Sequence, residues 1–274
     1  MTLKDNKCII LNYERRNKMS LKIFETHSHY YDDSFLHDRD EVIERQFNYG
    51  VKKILNCAVD IDSCKKTIDI IDKYDFIYGA CGIHPSYSKY YYKITYEDDL
   101  YKFNKHKKVL AIGEIGLDYY YDNIDKEIQK EVFRNQLKIA KDLDKPVIIH
   151  CRDAYADTLR IIKEFMPIRG VVHCFSGSLE IAIELIKLGF YLGISGISTF
   201  KNAVKIIEVI KEIPIEYLLT ETDCPYLSPV PLRGKRNESI NIEYIIKKIA
   251  DVRNEDFYKI GDMLYKNALK FFSL

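Results

Sequence analysis

KVLAIGEIGLDYYYDNIDKEIQKEVFRNQLKIAKDLDKPVIIH, residues 108–150, holds in one run the pattern that decides the fold. It opens on a β-rich segment, KVLAIGE (108–114), and passes through DKEIQKEVFRNQLKIAKDL (125–143) to a second β-rich segment, PVIIH (146–150). In the middle stretch Ile128, Val132, Phe133, Leu137 and Ala140 recur at helical spacing on one face. A strand, a helix and a strand in that order make a parallel crossover unit.

The same alternation extends in both directions. Strands are predicted at LKIFETH (21–27), VKKILNCA (51–58), FIYGACG (76–82), GVVHC (170–174), FYLGIS (190–195) and YLLTETD (217–223). With the two above they make eight, each followed by helical sequence, and a closed (β/α)8 TIM barrel of roughly 250 residues is the expected architecture. Periodicity alone is also compatible with an open doubly wound sheet. After the eighth strand an irregular loop (224–238) leads to two C-terminal helices, 239–252 and 254–272, expected to pack on the barrel.

Composition narrows the classes of function. The formal net charge of +1 gives no global field that would draw the chain to nucleic acid or membrane. An anionic substrate must therefore be held by local charges and metal. No apolar run approaches the roughly 18 residues of a bilayer span, and the CIIL stretch near the N-terminus is too short for a signal-peptide core. Seven cysteines, an odd number without a CxxC pair, argue for reduced thiols rather than a disulfide framework or zinc ribbon. The reading is a cytoplasmic protein, a monomer, with no membrane partner.

A barrel places functional side chains at the C-terminal ends of its strands. There the sequence has His27 and His29, Glu114, His150, His173 and Asp223. His27 and His29, two residues apart, share one face of an extended chain and can chelate one ion. Four imidazoles and two carboxylates suit divalent zinc, manganese or similar ions. Six ligands exceed one tetrahedral site with an open position, but they suit two ions sharing a carboxylate. Glu114 is the natural bridge, because it has two oxygens. His27, His29, Glu114 and Asp223 then hold one ion, and Glu114, His150 and His173 the other.

With these residues placed, the chain resembles the TatD family of metal-dependent deoxyribonucleases, amidohydrolase-like barrels, and especially its YcfH-type members. The resemblance rests on ETHSH, CGIHP, GEIGLDYYY, KPVIIHCRDA, HCFSG, GISGISTF, ETDCPYLSP and PLRGKRNE, in order, from about residue 21 to the C-terminus. It implies a barrel over residues 19–274, one or two divalent metals (zinc, manganese or magnesium), and hydrolysis of phosphodiester bonds in DNA, as single strands or duplex ends, with RNA as a further substrate. It implies an exonuclease, and its ligands fall on the six residues named. Residues 1–18 have no counterpart in typical members and are expected to be a disordered extension or to precede a true start at Met19.

Other residues carry two readings each. His84 is expected to face the same cavity, as a contact to substrate phosphate or as a structural histidine. Arg152 is placed to grip phosphate, or to pair with Asp153 or Asp157. Glu221 either orients a ligand or makes a core hydrogen bond. Cys151, Cys174 and Cys224 follow ligands and are expected to point towards the helices by strand alternation. Tyr119, Tyr120 and Tyr121 are base-stacking candidates or surface-loop residues. Arg233, Lys235 and Arg236 lie in a proline-restricted loop after the last strand, to bind phosphates or to pair with carboxylates such as Glu238.

Asp223 is the expected general base, with Glu114 supporting catalysis at the bridge. Two rivals stand beside the nuclease. A small-molecule amidohydrolase or phosphotriesterase-like enzyme shares the HxH opening, but commonly has a carboxylated lysine where Glu114 stands. A non-catalytic binding barrel would be free to lose ligands, and none is missing.

Overall fold

A computed structural model describes residues 21–92, 95–121 and 124–274. The anticipated extension, residues 1–18, lies outside the described residues. Eight strands form one sheet in sequence order: β1 (Ile23–Ser28), β2 (Val51–Cys57), β3 (Ile77–Ala80), β4 (Val109–Asp118), β5 (Val147–Arg152), β6 (Gly170–Val172), β7 (Tyr191–Ile194) and β8 (Leu218–Thr220). Every neighbouring pair is parallel. The ring closes just beyond β8, where Ser28 pairs with Cys224. There His29 N–H donates to Cys224 O (2.8 Å) and Asp223 N–H to His27 O (3.0 Å). This is the barrel, and the open-sheet alternative falls.

Helices follow the strands in turn: α1 (Arg39–Tyr49), α2 (Ile61–Lys73), the short α3 (Ser88–Tyr91) and α4 (Glu97–Asn104), α5 (Lys126–Asp142), α6 (Tyr155–Glu164), α7 (Leu179–Lys187) and α8 (Val204–Glu212). After β8 come α9 (Ile242–Arg253) and α10 (Phe257–Phe272). No helix among the described residues is long and apolar enough to cross a membrane. Inside the ring, Phe24, Leu55, Ala80, Ala111, Ile148, Val171 and Leu219 form an apolar cluster that α10 covers with Ala268, Phe271 and Phe272. This seals the N-terminal end of the barrel by burial of apolar area and leaves the opposite mouth for chemistry.

The α5 helix shows how helices position the mouth. Asp125 caps it, accepting from Glu127 N (2.7 Å) and Ile128 N (3.4 Å). Its buried face includes the predicted Val132, Phe133, Leu137 and Ala140, while Ile128 is only half-buried. Two glutamines share that face. Gln129 accepts from Asp118 N (2.8 Å) and donates to Asp118 O (2.9 Å), and Gln136 does the same at Ile83 (2.6 and 2.9 Å). Each amide satisfies a peptide that would otherwise be buried unpaired, and so fixes the chain beside a site residue.

One boundary differs from expectation. β4 does not end at Glu114 but continues to Asp118. The ladder with β5 shifts register between Ile112 and Ile115, and Gly116, at φ 134°, takes a conformation that L side chains rarely adopt. An irregular strand of this kind keeps pairing while it re-aims its side chains.

Candidate metal centre

Six side chains converge in the mouth around Glu114. Its Oε2 lies 3.2 Å from His27 Nε2 and 3.7 Å from His29 Nε2. Its Oε1 lies 2.7 Å from His173 Nε2, 2.9 Å from His150 Nδ1 and 3.4 Å from His84 Nε2. Asp223 Oδ1 completes the first side, 3.1 Å from His29 Nε2 and 3.7 Å from His27 Nε2. The loop after β8 can present Asp223 this way because its backbone turns through φ 60°, which aspartate tolerates better than most residues.

The donor chemistry fits divalent metal. Ring nitrogens face each other at 3.2 Å twice, His27 Nε2 with His29 Nε2 and His150 Nδ1 with His173 Nε2. Two ligands on one tetrahedral zinc, at roughly 2.0–2.1 Å each, stand about 3.3 Å apart. Three groups have ligand atoms all within 4.8 Å of one another: His27, His29 and Glu114; His27, His173 and Asp223; His84, Glu114 and His150. The electrostatics agree. Burial opposes ionisation of Glu114, yet His173, His84 and His27 outweigh it and hold its carboxyl well below the usual range. Burial likewise opposes charge on His173, but the Glu114 carboxylate overrides it and raises the imidazole well above its ordinary value. Glu114 is thus held as a carboxylate, the form that binds a divalent ion.

Three of the four candidate ligand rings face a partner on the far side, while His27 Nδ1 is buried without one among the described residues. His29 Nδ1 faces Cys57 O (2.8 Å) and Tyr31 Oη (3.0 Å). His150 Nε2 donates to Asp118 Oδ2 (3.0 Å), which leaves Nδ1 for the centre. His173 Nδ1 lies 3.5 Å from Glu221 Oε1, an oxygen that also accepts from Cys174 N (2.5 Å). Glu221 therefore sits where a ligand-orienting residue belongs. Asp118 and Tyr31 were not singled out in the sequence. Asp118 stands four residues after Glu114 on the same strand, and period-2 alternation was the signal that could have found it.

The other candidates divide. His84 lies within the ligand cluster, and its Nδ1 accepts from Ser86 N (3.1 Å). Its burial lowers the imidazole pKa to about 3, so the ring is neutral. Arg152 forms no ion pair with Asp153 or Asp157 and lies over the Tyr120 ring at 3.6 Å. Asp157 is engaged instead by Tyr119, Arg160 and Lys130.

Arg236 is already committed to other groups. It makes two bonds to Asp38 (2.8 and 2.6 Å), donates to Ser34 O (2.7 Å) and lies over Phe35. It lines the same cleft as Arg233 and Lys235, and Asp38 and Ser34 belong to the segment after β1, which this guanidinium straps to the loop after β8. Glu238 pairs with one of the loop cations as expected, Arg236 (3.4 Å), and is held more closely by Arg45 (2.8 Å) and Gln46 (2.9 Å). Arg233 and Lys235 form no ion pair among the described residues. They line a cleft with Tyr226 next to Asp223.

Cys151 reaches Thr158 on α6, and Cys224 is buried in the core, both as alternation predicts. Cys174 departs from it. Its Sγ lies 3.1 Å from Ser195 Oγ at the end of β7 and is only half-buried. β6 stops at Val172 and Cys174 turns at φ 44°, so strand alternation no longer applies there.

The family profile described as "TatD related DNase" matches residues 24–273. The chain belongs to the TatD family. Among TatD-type relatives, it is 43% identical over 256 residues to "Uncharacterized metal-dependent hydrolase YabD" of Bacillus subtilis, covering 92% of this chain and 99% of that one. It is 34% identical over 229 residues to the "3'-5' ssDNA/RNA exonuclease TatD" of Citrobacter koseri, covering 81% of this chain and 88% of that one. The crystal structure of YJJV, a TatD homologue from Escherichia coli K12, superposes with a TM-score of 0.87 at 30% identity, covering 93% of this chain and all of that one.

Proposed function

We propose that this TatD-family chain is a metal-dependent hydrolase that removes nucleotides from an end of single-stranded DNA, with RNA as a second substrate. The observation that carries the reading is the division of Glu114, with Oε2 turned to His27 and His29 and Oε1 to His150, His173 and His84. A carboxylate so divided suits a pair of divalent ions, zinc, manganese or magnesium, that polarise a phosphodiester and acidify a water when bound. The Citrobacter koseri relative, named as an exonuclease on single-stranded DNA and RNA, supports the choice of substrate.

Within this reading His27, His29, Glu114 and Asp223 hold the first ion, and Glu114, His150 and His173 the second. Asp223 is the proton acceptor. Burial would raise its pKa, but the hydrogen bond and charge of His29 outweigh that and keep it below the usual carboxylate value. It is therefore ionised at neutral pH. Its side chain is 15% exposed against 4% for Glu114, so water reaches Asp223 first. Oδ1 faces the histidines, which leaves Oδ2 to take the proton of the attacking water. Arg152, Arg233 and Lys235 flank the centre as phosphate contacts, and Arg236 supports the loop that carries the last two. The six described cysteines, all free thiols, suit a cytoplasmic enzyme, and we take it to act as a monomer.

The test is incubation of metal-loaded protein with end-labelled single- and double-stranded oligonucleotides. Progressive shortening from one end, abolished by chelator and restored by zinc, manganese or magnesium, is expected. Intact oligonucleotides with all three metals would refute the reading.

A further inference from the structure

Two arginines at the barrel mouth lie over aromatic rings without an ion pair among the described residues. Arg233 covers Phe200 at 3.9 Å, and Arg152 covers Tyr120 at 3.6 Å. In a ring ordered β1 to β8, the β4–β5 seam that carries Tyr120 and Arg152 lies across from the β8–β1 seam that leads into the Arg233 loop. The ligand cluster stands between them.

The β4–β5 side is an aromatic surface. Tyr119 is anchored by its hydroxyl to Asp157 (2.7 Å). Tyr120 and Tyr121 are 55% and 53% exposed and meet edge to face, with ring centroids 4.8 Å apart. Arg152 reaches the second ring as well, at 5.5 Å. The base of this surface is fixed to the centre itself. Tyr120 N donates to Asp118 Oδ1 (2.9 Å), and Oδ2 of the same carboxylate holds His150 (3.0 Å). Tyr119 N donates to Arg152 O (2.9 Å) across the ladder. One side chain thus sets the spacing between an exposed ring and a metal-ligating ring.

We propose that Tyr120 and Tyr121, backed by Arg152, are a stacking platform for a nucleobase of single-stranded nucleic acid, across the metal centre from the Arg233–Lys235 loop. This rests on the reading of the substrate as nucleic acid. The guanidinium backs Tyr120, and more than half of each tyrosine surface remains exposed for a base. Stacking needs only a π face, so the platform is tolerant of sequence. A base inside a duplex has both faces covered by its neighbours and cannot lie on it, so the platform favours single strands over duplex interiors.

The sequence contains no tryptophan, so Tyr120→Trp supplies a lone fluorophore at the platform. In an Asp223→Asn background, to slow turnover, the metal-loaded variant is titrated with oligothymidylate and with an abasic oligomer of the same length. Fluorescence quenched by oligothymidylate and not by the abasic oligomer is expected, while a Tyr244→Trp control on α9 stays bright. Tyr120→Ala is expected to weaken oligothymidylate binding by about five- to 150-fold, the range of one lost stacking contact, and to leave abasic binding unchanged. If the anisotropy of a labelled oligomer reports binding but no quenching occurs, or if Tyr120→Ala weakens both oligomers equally, the platform is overturned and the nucleic-acid reading stands. If wild-type protein neither binds nor cleaves any oligomer, both are overturned.

Discussion

Gly193→Ala should loosen the candidate metal centre without replacing any of its proposed ligands. Gly193 lies on β7 directly behind Glu221. A Cβ built there would stand 2.8 Å from the Glu221 carboxyl carbon and 3.0 Å from His173 Cα, where ordinary contact begins at 3.4 Å. Glu221 Oε2 is nearer still, so Glu221 must retreat by more than the roughly 0.6 Å its carboxyl carbon needs, or β7 and the His173 backbone must part. Either movement draws the carboxylate from Cys174 N and His173 Nδ1, now at 2.5 and 3.5 Å. Forcing a methyl into a packed site costs about 1–3 kcal/mol, a fall in Tm of roughly 2–10 °C for a chain of this size. Disturbing the partner that orients a ligand weakens metal affinity by about 10–100-fold. Scanning calorimetry gives the first quantity, and competition with a chromophoric chelator gives the second. A variant with wild-type Tm and wild-type affinity would show that Glu221 does not aim His173.

Glu114→Ala should lower metal content and hydrolysis more than His29→Ala, since Glu114 faces both groups of histidines; equal losses by metal analysis would remove the bridge. Asp223→Asn keeps an oxygen for metal and should retain most of it while the rate falls at least about a hundredfold; a near-normal rate would assign the proton to another acceptor. Replacing Arg233 and Lys235 by Ala should flatten the log-affinity against log-salt slope for single strands by about 0.7 per lost contact, with metal content unchanged. An unchanged slope returns that loop to a solvated turn. A chain beginning at Met19 should melt and hydrolyse as the full chain does, because residues 1–18 carry no apolar periodic face; a large drop in Tm would show that they dock.

The barrel was legible because its signals are local. Strand runs such as PVIIH announce themselves by β-branched residues, and the candidate ligands sit at or just beyond strand ends, where alternation suggests which way they point. What stayed hidden depends on partners far along the chain. Gln129 and Gln136 read as polar interruptions of the α5 face, yet each is buried because it serves a peptide on another segment. Arg236 looked equal to Arg233 and Lys235 until folding brought Asp38, 198 positions away in sequence, against it. Cys174 escaped the alternation rule because one left-handed residue ends the strand, and cysteine gives no hint of such a turn. Asp118 was hidden by the irregularity of β4, which carries the strand past the point where it was expected to stop.

The closing seam has a consequence for how this protein ages in solution. β8 is three residues long, and first strand and last are joined by one isolated bridge beyond it and a few hydrogen bonds at Thr26 and Glu25. An unclosed sheet offers two raw edges, the template on which chains aggregate. His29 and Asp223 stand on the two lips of that seam, 194 positions apart and 3.1 Å from each other at their ligand atoms. An ion held by both would also clasp the hoop. Removing such an ion would leave the seam to its hydrogen bonds alone, so chelated protein should cloud on standing sooner than loaded protein.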